Sequence, residues 1–275
     1  MNELTRFSKI RLLNNETMVE TRQNLKGTPL HWHEFYEAII YWNCRGTCYI
    51  NNVAYSIEDG SCFLMTPIDS HETVFESTKD SRQIMINFLP SAIDSQISSY
   101  LNFPIKMNGI KEDDNIVKIL KDIKNELSIK KEFGTNLRYH LLNAFVIILL
   151  REGVKLNSNN KIIPDIVIKA ITYISNHYTE GIGLDDVAAS INVNPSYLSA
   201  LFSKTAKITL TSYISELRIE NSKYLLKTSN MSILDVCYAS GFGTYSHFFR
   251  TFKNTVGITP AQYRNLKKEE KSIIQ

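Results

Sequence analysis

IKAITYISNHYTEGIGLDDVAASINVNPSYLSALFSKTAKITLTSYISELRIENSKYLLKTSNMSILDVCYASGFGTYSHFFRTFKNTVGITPAQYR, residues Ile168–Arg264, carries one pattern twice. Asp186-Val187 recurs as Asp235-Val236 and Val193 as Phe242, both 49 residues on; Leu198 and Phe202 recur as Phe248 and Phe252, 50 residues on. The second copy is therefore one residue longer between its two short helices. Each copy reads as a helix, a tight turn and a second helix. In the first, Asn194 suits the N-cap and Pro195 the first helical position. Asn192 stands where the turn needs a left-handed residue, and the second copy has Gly241 there. Between the copies, Leu210, Tyr213, Ile214, Leu217, Tyr224 and Leu225 predict one apolar face of a long helix.

Charge follows the same division. Residues 1–163 hold 19 basic and 19 acidic side chains, so the net +3 of the chain lies wholly in residues 164–275. Gly241–Lys268 contains no acid but carries Arg250, Lys253, Arg264, Lys267 and Lys268. A basic stripe attracts a phosphate backbone, although a solvated face gives the same pattern. Duplication, capping residues and charge together favour paired helix-turn-helix units over a plain helical bundle.

From Ile168 to Arg264 the chain resembles the AraC-family DNA-binding domain. The most specific matches are Tyr197-Leu198 with Phe202, Arg218-Ile219, Gly241-Phe242, Phe248 with Arg250, Phe252-Lys253, and Gly257-x-Thr-Pro-x-x-Tyr-Arg264. The resemblance implies transcription control, usually activation, with both second helices inserted into successive major-groove segments of double-stranded DNA. Its base-reading positions fall on Ser196, Ser199 and Ala200, and on Tyr245, Ser246, His247 and Arg250. Lys204 and Lys253 are the accompanying basic contacts. The chain departs from the family at Ala200, where Arg is common, and at Lys207, where Gly follows the first reading helix. Arg bridges guanine O6 and N7, whereas Ala offers only a methyl contact.

The first hundred residues read as strands. EAIIYWN, TCYINNVAYSI, SCFLMTP and RQIMINFL are rich in Ile, Tyr, Phe and Thr, and turn signals such as Asp59-Gly60 separate them. Such a series suggests a sandwich or barrel. His31, His33 and Glu37 share odd parity with Phe35, Ile39 and Tyr41, which in one strand would set all six on one face. His71 follows Pro67. His-x-His-x-x-x-Glu with Gly46 resembles the first cupin motif, and Gly60–Pro67 with His71 more faintly resembles the second, with Ile68 where Gly is usual. Two readings compete. His31, His33, Glu37, Tyr41 and His71 form an effector pocket that needs no metal or cofactor, as is common for cupin-like sensors in AraC-family regulators. Alternatively the three imidazoles and the carboxylate hold a first-row metal, in a cupin enzyme fused to a DNA-binding domain.

Beyond the strands, Ile116, Ile119, Leu120, Ile123 and Leu127 repeat at helical spacing, and Leu137–Leu150 forms a second apolar helix. These helices are expected to pack on the barrel, and the resemblance favours a homodimer contact there. The polar stretch LNSNNKIIP reads as a linker. Cys44, Cys48, Cys62 and Cys237 include no C-x-x-C pair, so zinc ribbons and disulfide frameworks are not indicated. Free buried thiols are the expectation, and a redox sensor at Cys44 and Cys48 is the alternative. The run Leu141–Leu150 is too short to cross a bilayer, and MNELTRFSKI lacks a signal peptide's apolar core. A cytoplasmic, membrane-free regulator is expected.

The expected fold is α+β: a cupin-like β-barrel at 1–105, a helical pairing segment at 106–155, a linker at 156–163, and an all-α domain with two helix-turn-helix units at 164–268. RNA polymerase and a small-molecule effector are the further partners this reading implies.

Overall fold

The computed structural model describes residues 5–6, 17–33, 35–77, 79–129, 131–156 and 163–265. Residues 157–162 of the expected linker, and Lys267 and Lys268 of the basic stretch, lie outside them. The chain divides into two compact units, Met1–Ile168 and Lys169–Gln275. The division falls inside helix α4 (Asp165–His177) rather than at Pro164. Pro164 is the helix entrance, its carbonyl accepting from Val167 and Ile168 at 2.8 and 3.2 Å.

The first unit is built on two sheets. One has the order β1 (Thr5–Arg6), β3 (Thr28–Trp32), β8 (His71–Ser77), β5 (Arg45–Ile50) and β6 (Val53–Ile57). The other has the order β11 (Val154–Lys155), β10 (Ile105–Met107), β7 (Ser61–Met65), β4 (Tyr36–Trp42), β9 (Arg82–Phe88) and β2 (Thr17–Gln23). The segment TCYINNVAYSI is two strands, because Asn51 and Asn52 both take positive φ, 51° and 66°, and close a two-residue hairpin.

Strand β4 shows why the sheets face one another. All seven of its residues are buried. Ile39 and Tyr41 join Cys48, Ile50, Ile57, Phe63, Met65 and Met85 in the core between the sheets. Tyr36, Ala38, Ile40 and Trp42 point the other way, into a second core with helices α2 (Asn115–Ser128) and α3 (Gly134–Glu152). Period-two alternation thus serves two apolar layers, which makes the strand read as a continuous hydrophobic run. Both helices pack on the barrel as expected. The short strands β10 and β11 flank them in sequence and extend the six-stranded sheet, so 106–155 is continuous with the barrel rather than a purely helical segment. Helix α1 (Ser95–Ser99) is capped by Asp94, whose carboxylate accepts from Gln96 and Ile97 N–H groups.

The second unit contains the rest of α4 from Lys169, then α5 (Leu184–Ser190), α6 (Pro195–Ala206), α7 (Leu210–Thr228), α8 (Ile233–Ala239) and α9 (Tyr245–Val256), with a further helical segment at 260–265. The turn between α5 and α6 takes four residues and that between α8 and α9 five, which accounts for the change of repeat from 49 to 50. Helix α7 does not present one apolar face throughout. Its first half buries Leu210, Tyr213, Ile214 and Leu217, and Tyr213 stacks edge-on to Phe202 at 5.4 Å. Its second half buries Ile219, Ser222 and Leu226, with Ile219 and Leu226 in the core of α8 and α9, while Tyr224 and Leu225 are only half-buried. The expected single stripe is therefore split between two partners, one unit on each side of the helix.

Candidate nucleic-acid interface and sensor cavity

Helix α6 begins on Asn194, whose side chain accepts from the Ser196 and Tyr197 N–H groups at 2.9 and 3.2 Å, with Pro195 at the first helical position. Leu198 and Phe202 are fully buried, so the helix is fixed with the opposite side outward. That side carries Ser196, Ala200 and Lys204, all exposed, and Ser199, half-buried. Helix α9 is capped by Thr244 and anchored by Phe248 and Phe252, which lie 5.6 Å apart edge-on. Its outer side presents Tyr245, Ser246, His247, Arg250 and Lys253, every one exposed. All nine residues expected at a DNA surface thus lie on the two helices as predicted, with no acid on α9. Arg264, also counted in the basic stretch, is half-buried at the end of the described chain.

The turns hold the special backbone that the sequence suggested. Asn192 has φ 56° and Gly241 φ 91°. A Cβ on Gly241 would stand 2.4 Å from the Tyr178 carbonyl oxygen, so the turn needs glycine for space as well as for φ. Lys207 ends α6 in the left-handed region, φ 62°, where Gly257 ends α9 at φ 84°. Arg218 has a role that periodicity did not reveal. From α7 its Nε donates to the Tyr178 carbonyl at 2.7 Å and its Nη2 to the Ile182 carbonyl at 2.9 Å, tying the long helix to the loop before α5.

In the first unit, the five effector-pocket residues line one cavity of about 410 Å³ together with Leu25, Thr28, Phe35, Phe75 and Met85. They do not lie on one strand. His31 is on β3 of one sheet and Glu37 and Tyr41 on β4 of the other, with the chain crossing between sheets around His33. The parity reading fails for that reason, yet the groups converge because the sheets face each other. His31 pairs in register with His71, and Glu37 with Asn87.

Each histidine is held at its Nδ1 by a backbone carbonyl two residues away: Pro29 at 2.8 Å for His31, Phe35 at 2.9 Å for His33 and Asp69 at 3.2 Å for His71. Those contacts make Nδ1 the donor and direct Nε2 inward. Nε2 of His71 lies 3.1 Å and Nε2 of His33 3.6 Å from Glu37 Oε2. Asn87, with its amide nitrogen turned to the carboxylate, donates to Glu37 Oε1 at 3.1 Å. One donor atom from each of His31, His33, Glu37 and His71 falls within 4.8 Å of the other three. Burial alone would raise the Glu37 pKa, but the facing His33 and His71 side chains outweigh it and hold the carboxyl ionised, below its usual range. Burial, reinforced by His71, lowers His31 to about 4, which keeps its imidazole neutral.

The turn before His71 is built for its place. Asp69 accepts from the Thr66 N–H at 2.9 Å, from the Thr66 hydroxyl and from Asn51 Nδ2 at 2.6 Å. Ile68 takes φ 67°, an unfavourable region for a β-branched residue, and its N–H donates to the His33 carbonyl at 2.8 Å. Asn87 and the three carbonyl tethers were not read from the sequence. Asn87 alone left a signal, a residue type depleted in strands standing within the apolar run of RQIMINFL.

The four cysteines are free and buried. Burial pushes the Cys44 thiol up to about 11 and those of Cys48 and Cys62 to about 12, so none is a ready thiolate and the redox reading loses support.

Residues 14–154, more than half of the chain, match the AraC-like ligand binding domain, and residues 187–266 match a helix-turn-helix domain. The chain belongs to the AraC family of transcription regulators. Among relatives of this AraC-family chain, the melibiose operon regulatory protein of Escherichia coli K12 is 23% identical over 256 residues, covering 88% of this chain and 85% of its own. The HTH-type transcriptional regulator YdeC of Bacillus subtilis is 24% identical, covering 97% and 96%. The solved structure of ToxT from Vibrio cholerae shares the fold with a TM-score of 0.52 at 16% identity, over 90% of this chain and 97% of its own. No helix among the described residues is long and apolar enough to cross a membrane.

Proposed function

We propose that this AraC-family regulator is a cytoplasmic activator that reads DNA with α6 and α9 and senses a small molecule in the barrel cavity. The observation that carries it is the exposed outer side of α9, where Arg250 and Lys253 stand beside Tyr245, Ser246 and His247 with no acid on the helix. Ser196, Ser199, Ala200 and Lys204 make the corresponding surface on α6. The sensor spans 1–105, the pairing segment 106–155 and the DNA-binding domain 164–268, joined by the linker 156–163. Homodimerisation through α2 and α3, recruitment of RNA polymerase and the absence of enzymatic turnover belong to the same reading.

The metal-binding alternative has one observation in its favour, the four convergent donor atoms. The donor set of three imidazoles and one carboxylate suits a first-row divalent ion, which would act there as a Lewis acid. Sequencing the genomic fragments that the full chain retains, alongside a promoter reporter, tests the regulator reading. Enrichment of promoter segments sharing one motif, with reporter output rising when the chain is present, is the expected result. Retention no greater than that of an unrelated basic protein would refute it.

A further inference from the structure

Helix α7 is 19 residues long, about 28 Å, and joins the first helix pair, α5 and α6, to the second, α8 and α9. Long helices curve rather than stay straight, so α7 alone leaves the relative setting of the pairs loosely defined. A second connection crosses between them at Tyr178. Arg218 lies where α7 passes from one core to the other, between buried Leu217 and Ile219. Its half-buried guanidinium donates through Nε to the Tyr178 carbonyl at 2.7 Å and through Nη2 to the Ile182 carbonyl at 2.9 Å. A planar fork that holds two carbonyls at once fixes direction as well as distance. The Tyr178 carbonyl also meets Gly241, in the turn between α8 and α9. A Cβ on Gly241 would stand 2.4 Å from the Tyr178 oxygen, 2.8 Å from Thr179 Cα and 2.9 Å from Arg218 Nε. Each end of this junction is tied to its own pair. On one side the Gly183 N–H donates to the Asp186 carboxylate of α5 at 2.8 Å. On the other the Gly241 N–H donates to the Tyr238 carbonyl of α8 at 2.9 Å, and Phe242 packs on Phe248 of α9 at 5.2 Å.

We propose that the junction of Arg218, Tyr178 and Gly241 is a strut locking the two helix pairs together, and that Arg218 is the positioning residue that sets which spacing of two DNA segments the protein accepts. The inference rests on the reading above that α6 and α9 bind DNA together. Two linked modules bind far more tightly than either alone, but only where the geometry lets both engage. One base pair inserted between the segments moves one of them by about 3.4 Å and turns it by about 35° relative to the other. A locked pair rejects that change, whereas a loosened pair follows it. Arg218 acts here through two backbone carbonyls and not on the DNA itself.

The test uses the full chain and three duplexes: the two-segment site that it selects from random DNA, that site with one base pair inserted between the segments, and one segment alone. For the wild type, the insertion should lower affinity about 100-fold, toward that of the single segment. Arg218→Ala should reduce this penalty to about 10-fold while leaving single-segment affinity unchanged. General destabilisation would not give that pattern, because it weakens binding to all three duplexes alike. Arg218→Lys keeps the charge but loses the fork, so it should shift the penalty in the same direction by less. It carries the test if thermal unfolding shows that the alanine chain does not fold. A folded variant with the wild-type penalty overturns the strut. So does a wild-type chain that prefers the two-segment site yet tolerates the insertion. A wild-type chain that binds the one-segment and two-segment duplexes equally well refutes the paired reading itself, and the strut with it.

Discussion

At the scale of single residues, the two helices proposed to read DNA are unequal. Arg250 presents a planar fork from the exposed side of α9, while Ala200, its counterpart on α6, has no hydrogen-bonding group. A bidentate Arg–guanine pair discriminates by about 1–3 kcal/mol. Arg250→Ala should lose that amount and relax base preference only in the segment read by α9, whereas Ala200→Arg should add a guanine preference to the other segment. Competition binding against single-base variants measures both, and an Arg250→Ala chain with unchanged preference would shift the explanation to DNA shape. Lys207 offers a stability test independent of DNA. A non-glycine residue in the left-handed region costs about 1–2 kcal/mol, offset in part by glycine's greater unfolded-state entropy. Lys207→Gly should therefore stabilise the second unit by about 0.5–1 kcal/mol, read as a higher midpoint in thermal unfolding. An unchanged or lower midpoint would mean that the lysine side chain stabilises the helix end in some other way. Single residues were also where sequence reading was weakest. Asn192, Asn194 and Gly241 were legible because turn chemistry is local. The Arg218 contacts and the carbonyl tethers of the histidines were not, since each joins groups whose proximity only the folded chain creates.

At the scale of elements, α9 combines buried Phe248 and Phe252 with an exposed basic side, so its electrostatic role is separable from its packing. Lys253→Ala removes an exposed charge and no core contact. Binding should weaken evenly across DNA sequences, and the slope of log affinity against log salt should become shallower by about one unit. A slope that stays the same would place Lys253 away from phosphate. The elements themselves were legible to different degrees. The helix pairs were read from repeats, and α2 and α3 from helical spacing. Strands β10 and β11 are three and two residues long, too short to carry a period. The break between β3 and β4 leaves no mark in the sequence, because odd parity continues through Phe35 while the chain changes sheets, and parity records the face of a strand only within one strand. The split of α7 is hidden for a related reason: it serves two cores, and a one-stripe pattern assumes a single partner.

At the scale of the molecule, the side chains proposed to read DNA lie in one compact unit, Lys169–Gln275, and the cavity residues in the other, Met1–Ile168. Replacing His31 and His33 by Ala should therefore alter how transcription responds to the sensed molecule without reducing promoter affinity in its absence. Parallel reporter and DNA-binding measurements check this, and a matched loss of affinity would contradict the separation of roles. The central claim is that both helix-turn-helix units read DNA together. Selection of binding sites from random duplex DNA by the full chain tests it most directly. The account predicts a site with two preferred segments roughly one helical turn apart, about 10 base pairs, with the sharper preference and a guanine contact in the segment lost on Arg250→Ala. A single preferred segment, or no enrichment over the starting pool, would contradict it.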